Sequence, residues 1–380
     1  MSAVGTTRQA PMGPQAGPLR WPAEWEPHAA TWLAWPKNAE TWPNRLDAVV
    51  HAYAQMVEAL VDGEHVRILV DDEAAEETSR RALAHHGVYQ DSKIDYHRIL
   101  TDDAWIRDYA PIVVYRDSPG AEDRVWLDFG FNAWGGKYPP WSADAEAGDQ
   151  IVRTQEGVRF GVDEILEGGS VDGNGAGILM TTESCLLHPN RTSEGRPRDR
   201  RTVARWLSES LGAKKLIWLS DGIAGDDTDG HVDDLARFVG PNTILAVAED
   251  DVSDVNHQAL ATNWRRLQAA RNLADAAFDL IALPMPPPVI SDGRRLPASY
   301  ANFYIGNRVV LMPKFEAATD RRAAAILQEC FPGREIVQIP CRDLVVGLGT
   351  THCLTQQEPA KIPAGSVLSE QETNERRGTH

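Results

Sequence analysis

Cysteine is scarce in this chain, with only Cys185, Cys330, Cys341 and Cys353 among 380 residues. None of them forms a C-x-x-C pair. That excludes a zinc ribbon and a disulfide framework, and sparse free cysteine fits a reducing cytoplasm. Long hydrophobic runs are missing too, since no stretch approaches the roughly 20 apolar residues that cross a bilayer. The opening MSAVGTTRQAPMGPQAGPLR has no continuous apolar segment, so no signal peptide is expected. Positive charge is in deficit, with 38 Lys and Arg against 55 Asp and Glu for a net charge of −17. Such a field disfavours nucleic acid and anionic membrane surfaces and favours cationic ligands, although acidity also serves solubility. Neither G-x-G-x-x-G nor a Walker A motif is present. GNGAG (Gly173 to Gly177) is rich in glycine, but no helix follows it, so it reads as a turn and not as a phosphate cradle.

What is present is an ordinary globular composition, 42% hydrophobic and 24% charged. No interior linker or charge run divides residues 21 to 365. The expected organisation is an N-terminal tail over 1–19, a single catalytic domain over 20–365 and a polar C-terminal tail over 366–380. Short β-rich runs recur at Val66–Val70, Ala110–Tyr115, Ile178–Thr182, Lys215–Ser220, Thr243–Ala248, Arg308–Met312 and Glu335–Pro340. Helical spacing appears between several of them. Val203, Trp206, Leu207 and Leu211 share one face behind Thr202, a candidate N-cap. Ala323, Ile326, Leu327 and Cys330 share another behind Thr319. The alternation predicts an α/β fold, and the periodicity makes Cys330 a packing residue.

Polar clusters with chemical potential are spread from about residue 100 to residue 353. DDAWIRDYAP carries Asp108, ILEGGS carries Glu167, GDDTDGHVDD carries His231 and Asp233, and GLGTTHCLTQQ carries Cys353. A fold that gathers strand ends would bring them together. Each also has a plainer reading. Asp108 beside Arg107 reads as half of an ion pair, Glu167 as a turn acid, and His231 with Asp233 as a helix-start cluster. A lone H-x-D is a weak metal signal, so no metal is expected. His352, adjacent to Cys353, points away from the sulfur if the segment is extended. A thiolate nucleophile among carboxylates is unfavourable, because like charges raise the thiol pKa. The set becomes coherent if the substrate is a cation. A guanidinium can donate to two carboxylates while its central carbon faces the sulfur.

WPAEWEPHAATWLAWP (Trp21 to Pro36), TDDAWIRDYAP, FNAWGGKY (Phe131 to Tyr138), ILEGGS, LLHPNR (Leu186 to Arg191), DTDGHVDD, PASYANFYIGN (Pro297 to Asn307) and THCLTQQ together resemble one family. It is that of the agmatine deiminases (agmatine iminohydrolases), grouped with the bacterial-type peptidylarginine deiminases in the guanidine-modifying, or pentein, superfamily. The resemblance runs in order over residues 20 to 362. It implies a five-bladed α/β propeller with pseudo-fivefold symmetry and a central site. It also implies Cys353 as nucleophile, His231 as general acid and base, and Glu167 as the acid beside that histidine. Asp108 and Asp233 would hold the guanidinium, with Trp105 as an aromatic wall. Where agmatine-specific members carry a glutamate for the distal amine, four residues before the histidine, this chain has the shorter Asp227. Two further departures are GLGTTHC, in place of a longer glycine run, and YAP after Asp108, in place of TGP.

The reaction so implied is hydrolytic deimination, with agmatine and water giving N-carbamoylputrescine and ammonia. It uses no cofactor, belongs to polyamine synthesis in the cytoplasm, and is compatible with a homo-oligomer. Peptidyl-arginine, arginine or a biosynthetic intermediate are alternative substrates. Amidinotransfer and silent guanidine binding are the remaining alternatives.

Overall fold

The apolar runs of the sequence become the inner strands of separate mixed sheets. The computed structural model describes residues 18–89, 92–118, 121–192, 195 and 198–361. Most of the expected N-terminal tail, residues 1–17, lies outside them, as does all of 366–380. Leu19, assigned to that tail from sequence, is instead in the strand Leu19–Arg20 and pairs with Arg116.

Among the described residues there are five sheets of three or four strands and one two-stranded hairpin. Each of the five is a mixed α/β unit. In the third, Val171–Gly173 runs antiparallel to Ile178–Thr182, which continues through the helix Arg200–Leu211 to the parallel strand Lys215–Leu219. The fourth repeats this with Ala236–Gly240, Thr243–Ala248, the helix His257–Ala269 and Asp279–Pro284. The fifth uses Tyr304–Ile305, Val309–Lys314, the helix Thr319–Cys330 and Glu335–Pro340. The second is built on Ile112–Ser118, Ala121–Gly130, the helix Ser142–Arg153 and Val158–Ile165. In the first, the last strand of the chain, Gln356–Pro359, pairs antiparallel with His28–Ala34. The helix Leu46–Val61 then leads to His65–Val70. That pairing brings residues near the two ends of the described chain together.

Strands covered by helices lose their polar alternation, which is why they read as continuous apolar runs. Ile178–Thr182 is buried along its whole length. One hydrophobic cluster joins the first, third, fourth and fifth units, a second joins the second and third, and a third joins the first and second. No helix among the described residues is long and apolar enough to cross a membrane. GNGAG forms a turn, as read, in which Asn174 Oδ1 accepts from the backbone of Ala176 and Ile178.

Several boundaries differ from the sequence reading. The strand expected from Ala110 begins at Ile112, because Ala110 closes the short helix Ile106–Tyr109 and Pro111 has no N–H to donate. Thr202 is not the N-cap of its helix. Asp199 is, accepting from the Thr202 N–H at 2.7 Å. Thr319 is already helical, and the neighbouring Asp320 accepts from the Ala317 and Phe315 N–H groups instead. At the first place a carboxylate takes an orphan donor of the helix start; at the second, Asp320 ties down the residues ahead of a helix that has no side-chain cap. Cys330 packs against the core from its helix, and burial pushes its thiol up to about 11. Replacing the exposed Asp199 with alanine should lower the midpoint of chemical denaturation. An unchanged midpoint would show that this cap does not matter.

Candidate functional site

The segments that lead into the first strand of each sheet converge on one point. Asp108 lies in the short helix before Ile112–Ser118. Glu167 precedes the 3-10 turn Gly168–Ser170, which leads into Val171–Gly173. His231 and Asp233 sit at the turn Val232–Asp234 before Ala236–Gly240. Asn302 stands two residues before Tyr304–Ile305, and Cys353 three before Gln356–Pro359. All six side chains are buried. The expected residues are therefore assembled from four separate segments, and Asn302 joins them from a fifth.

Cys353 Sγ lies 3.9 Å from Asp233 Oδ2. Its nearest donor is the Asn302 amide, with Nδ2 at 3.1 Å. The orientation of that amide is fixed from the other side, because Asn302 Oδ1 accepts from the Thr350 hydroxyl at 2.7 Å and the His352 N–H at 3.2 Å. A donor aimed at the sulfur favours thiolate. It works against strong opposition. Burial, then the carboxylates of Asp233, Asp234 and Asp108, push the Cys353 thiol well above its ordinary range.

His231 has a carboxylate near each of its two ring nitrogens. Nε2 is 3.6 Å from Glu167 Oε2, and Nδ1 is 3.9 Å from Asp108 Oδ2. Burial alone would discharge it. Asp108, with support from Cys185 and Glu167, outweighs burial and holds the imidazole well above its usual pKa. A histidine kept protonated at neutral pH is equipped to donate a proton to a leaving group. Glu167 is also buried, but Arg191 and His231 hold it below the usual carboxylate range.

Asp108 accepts from the Gly169 N–H through Oδ1 and from the Trp134 indole through Oδ2, both at 2.9 Å. Asp233 accepts from His352 through Oδ2 at 2.6 Å, while its Oδ1 has no partner in the protein among the described residues. Each carboxylate oxygen offers two lone pairs, so both residues retain capacity for donors arriving from the cleft. The two glycines after Glu167 have a steric role. A Cβ on Gly168 would stand 2.2 Å from the Arg107 carbonyl. One on Gly169 would stand 2.6 Å from His231 Nδ1 and 3.0 Å from Asp108 Oδ1. A side chain there would fill the space that the carboxylates enclose.

A cleft of 770 Å³ opens onto this point, lined by Trp105, Asp108, Trp134, Tyr138, Asp227 and Cys353 among others. Trp105 forms part of its wall, as expected, with its ring backed by Trp42 at 5.2 Å. Asp227 is at the mouth, where its carboxylate accepts from the Tyr138 hydroxyl.

Sequence reasoning missed several residues that hold this arrangement. His352 is aimed away from the sulfur, but the segment is a turn and not an extended strand. Its ring bridges Asp233 and Glu24, with Nε2 2.8 Å from Glu24 Oε2. Trp134 reaches Asp108 because Ala133 to Gly136 all have positive φ, a tight left-handed run that the glycines of FNAWGGKY make accessible. That W-G-G was the one local signal. Asn302 and Glu24 lay inside quoted motifs without an assigned role. Glu167, Cys185 and His231 also offer donors of the right kind for a metal ion. The Arg191 guanidinium, however, already lies against both Glu167 oxygens at 2.8 and 2.9 Å.

Two substitutions test this geometry. Asp233→Asn removes a negative charge beside the sulfur, so Cys353 alkylation by iodoacetamide at pH 8 should accelerate about tenfold per unit of lowered pKa. Unchanged or slower alkylation would mean that Asp233 does not set the thiol. Gly169→Ala should reduce turnover by about 100-fold or more, because it misplaces groups that must meet the substrate. Turnover close to that of the parent would show that the space beside His231 is not used.

This geometry can fix a planar cation between two carboxylates, attack it with sulfur and protonate what leaves. Comparisons with known proteins agree. The family model described as Porphyromonas-type peptidyl-arginine deiminase matches residues 20–359. The chain is 35% identical to an agmatine deiminase of Pseudomonas aeruginosa over 370 residues, covering 91% of this chain and 97% of that one. Among solved structures it is similar to the agmatine deiminase of Enterococcus faecalis, with a TM-score of 0.82 at 28% identity over 90% of this chain and 96% of that one. A substrate-bound cysteine-to-serine variant of the C. jejuni agmatine deiminase aligns with a TM-score of 0.79 at 28% identity, over 90% of this chain and 97% of that one. With the match extending from the first strand to the last, this chain belongs to the Porphyromonas-type peptidyl-arginine deiminase family.

Proposed function

We propose that this protein hydrolyses agmatine to N-carbamoylputrescine and ammonia through a covalent intermediate on Cys353. The observation that carries the reading is a buried thiol set among carboxylates, an arrangement that only a cationic substrate relieves. The names carried by its relatives point to agmatine.

Asp108 and Asp233 accept N–H groups of the guanidinium. Its positive charge offsets the carboxylates around Cys353, so substrate binding itself promotes loss of the thiol proton to solvent and leaves the thiolate. The thiolate attacks the guanidinium carbon. His231 donates its proton to one nitrogen, the C–N bond breaks and ammonia leaves, giving an S-alkylthiouronium. Glu167 supports the charge on His231 throughout. His231, now neutral, takes a proton from water as the water attacks the same carbon. The C–S bond then breaks, which restores the thiolate and leaves a ureido group. Asn302 holds the sulfur while it carries charge. Asp227, at the cleft mouth, receives the distal ammonium. A reducing cytoplasm suits a free nucleophilic thiol.

We also infer that the five sheets are the blades of a five-bladed α/β propeller around this site. The repeated order of an antiparallel strand, a central strand, a helix and a parallel strand supports it. So does the delivery of one catalytic segment ahead of each blade.

Ammonia release from agmatine by the purified protein, with a chelator present, is the decisive assay. Turnover is expected. Its absence in folded protein would reject agmatine and move attention to guanidines with larger tails, for which the cleft has room. Asp227→Asn should raise the KM for agmatine about 10- to 100-fold, the worth of one charge-assisted hydrogen bond, with kcat changed less than threefold or so. An unaltered KM would remove Asp227 from substrate recognition.

A further inference from the structure

LLHPNR, one of the motifs singled out in the sequence, has no part in the mechanism above. Its last residue, Arg191, is fully buried at the end of the 3-10 turn Pro189–Arg191. Every polar arm of its side chain is engaged. Nε donates to Glu167 Oε2 at 2.9 Å. Nη1 donates to Asp229 Oδ2 at 2.7 Å and to Asn190 Oδ1 at 2.8 Å. Nη2 donates to the Thr228 carbonyl at 2.6 Å. Asp229 is held further by Lys137 at 2.8 Å and Asn190 at 3.0 Å. Thr228 and Asp229 lie between Asp227, at the cleft mouth, and His231, at its floor. The same guanidinium thus touches the partner of the general acid and the middle of the loop that carries the tail-binding carboxylate.

We propose that Arg191 is a positioning residue that serves both ends of the substrate, holding the Glu167 carboxylate against His231 and fixing the Asp227–His231 loop through Thr228 and Asp229. This rests on the reading of the site as a guanidine deiminase centre. A carboxylate as buried as Glu167 takes up a proton unless a cation stands beside it. Five charged or titratable groups face it: Arg191, His231, Cys185, Asp108 and Arg198. Arg198 is committed to Glu164 at 2.7 Å, and His231 passes its proton on during the reaction. Arg191 is the cation that stays. A lysine could supply the charge but not the planar fork that reaches Glu167, Thr228 and Asp229 at once.

The two functions separate in two variants of the full chain. Arg191→Gln removes the charge, so Glu167 should protonate at higher pH. Its carboxyl titration, followed by NMR of ¹³C-labelled glutamate with Glu167→Gln as the assignment control, should move up by about one unit or more. The acid limb of kcat should follow it upward, since activity needs Glu167 ionised. Arg191→Lys keeps the charge, so the titration and the acid limb should stay near those of the parent. The KM for agmatine should nevertheless rise about tenfold as the loop anchors are lost. The proposal is overturned if Glu167 titrates in Arg191→Gln as in the parent. If that variant does not fold, Arg191→Lys decides alone. A raised KM with an unmoved acid limb supports the proposal, and a uniform fall in kcat at parent KM overturns it. The titration needs no substrate, so a parent protein inactive on agmatine would reject the substrate reading separately.

Discussion

The site depends on burying an excess of carboxylates at one point without forcing them all to protonate. Glu24, Asp108, Glu167, Asp172, Asp233 and Asp234 are all buried around it. Against them stand three buried guanidinium groups, Arg107, Arg191 and Arg237. Arg237 alone reaches Asp172 at 3.0 Å and Glu24 at 2.9 Å. Breaking one such buried pair strands a charge, at a cost of about 3–5 kcal/mol. The balance is deliberately incomplete on the cleft side. Asp234 and the Cys353 thiol are both pushed well up, by burial first and by neighbouring carboxylates second. A bound cation completes the balance, and this is how an acidic pocket and a nucleophilic sulfur coexist.

The architecture explains why that balance can be assembled from distant residues. In each of the five sheets one strand is preceded by a segment that carries a buried side chain of the site. These segments carry most of the polar side chains of the site, while the strands behind them are mainly apolar, with Asp172 and Arg237 as buried exceptions. The closing pair is Gln356–Pro359 with His28–Ala34. It sets Cys353 and His352 beside Glu24, a contact 328 residues apart in sequence. Truncation of either end would open the centre and not merely a periphery.

Charge at the site also divides labour between the two carboxylates nearest His231. Asp108 is raised by burial, and His231 counteracts it, whereas Glu167 is held down by Arg191. Asp108 faces the cleft and donors that come and go. Glu167 faces a permanent cation. A transient partner for one and a fixed partner for the other would suit the proposed role of His231, in which it releases and recovers a proton within a cycle. Trp134 adds a neutral donor on Asp108 from a strained left-handed turn, placing the cleft lip under the control of the same carboxylate.

The sequence by itself determined the secondary-structure alternation and the chemical inventory. Parallel strands such as Ile178–Thr182 and Thr243–Ala248 are mainly apolar and largely buried, a signal that survives without any partner. Cys353, His231, Asp233, Asp108 and Glu167 were legible because a thiol, an imidazole and carboxylates make sense together only over a cationic substrate, and because their motifs are long. The cap expected at Thr202 was misplaced because Asp199 takes that residue's N–H, and the one expected at Thr319 because that helix has no side-chain cap. Tertiary structure alone decided the roles of Arg191, Asn302, Glu24, His352 and Trp134. Each acts through a partner remote in sequence. A buried arginine also looks like a surface one until the carboxylate that it neutralises is known. Local pattern fixes what a segment is, but the balance of buried charge is a property of the centre where all five segments meet.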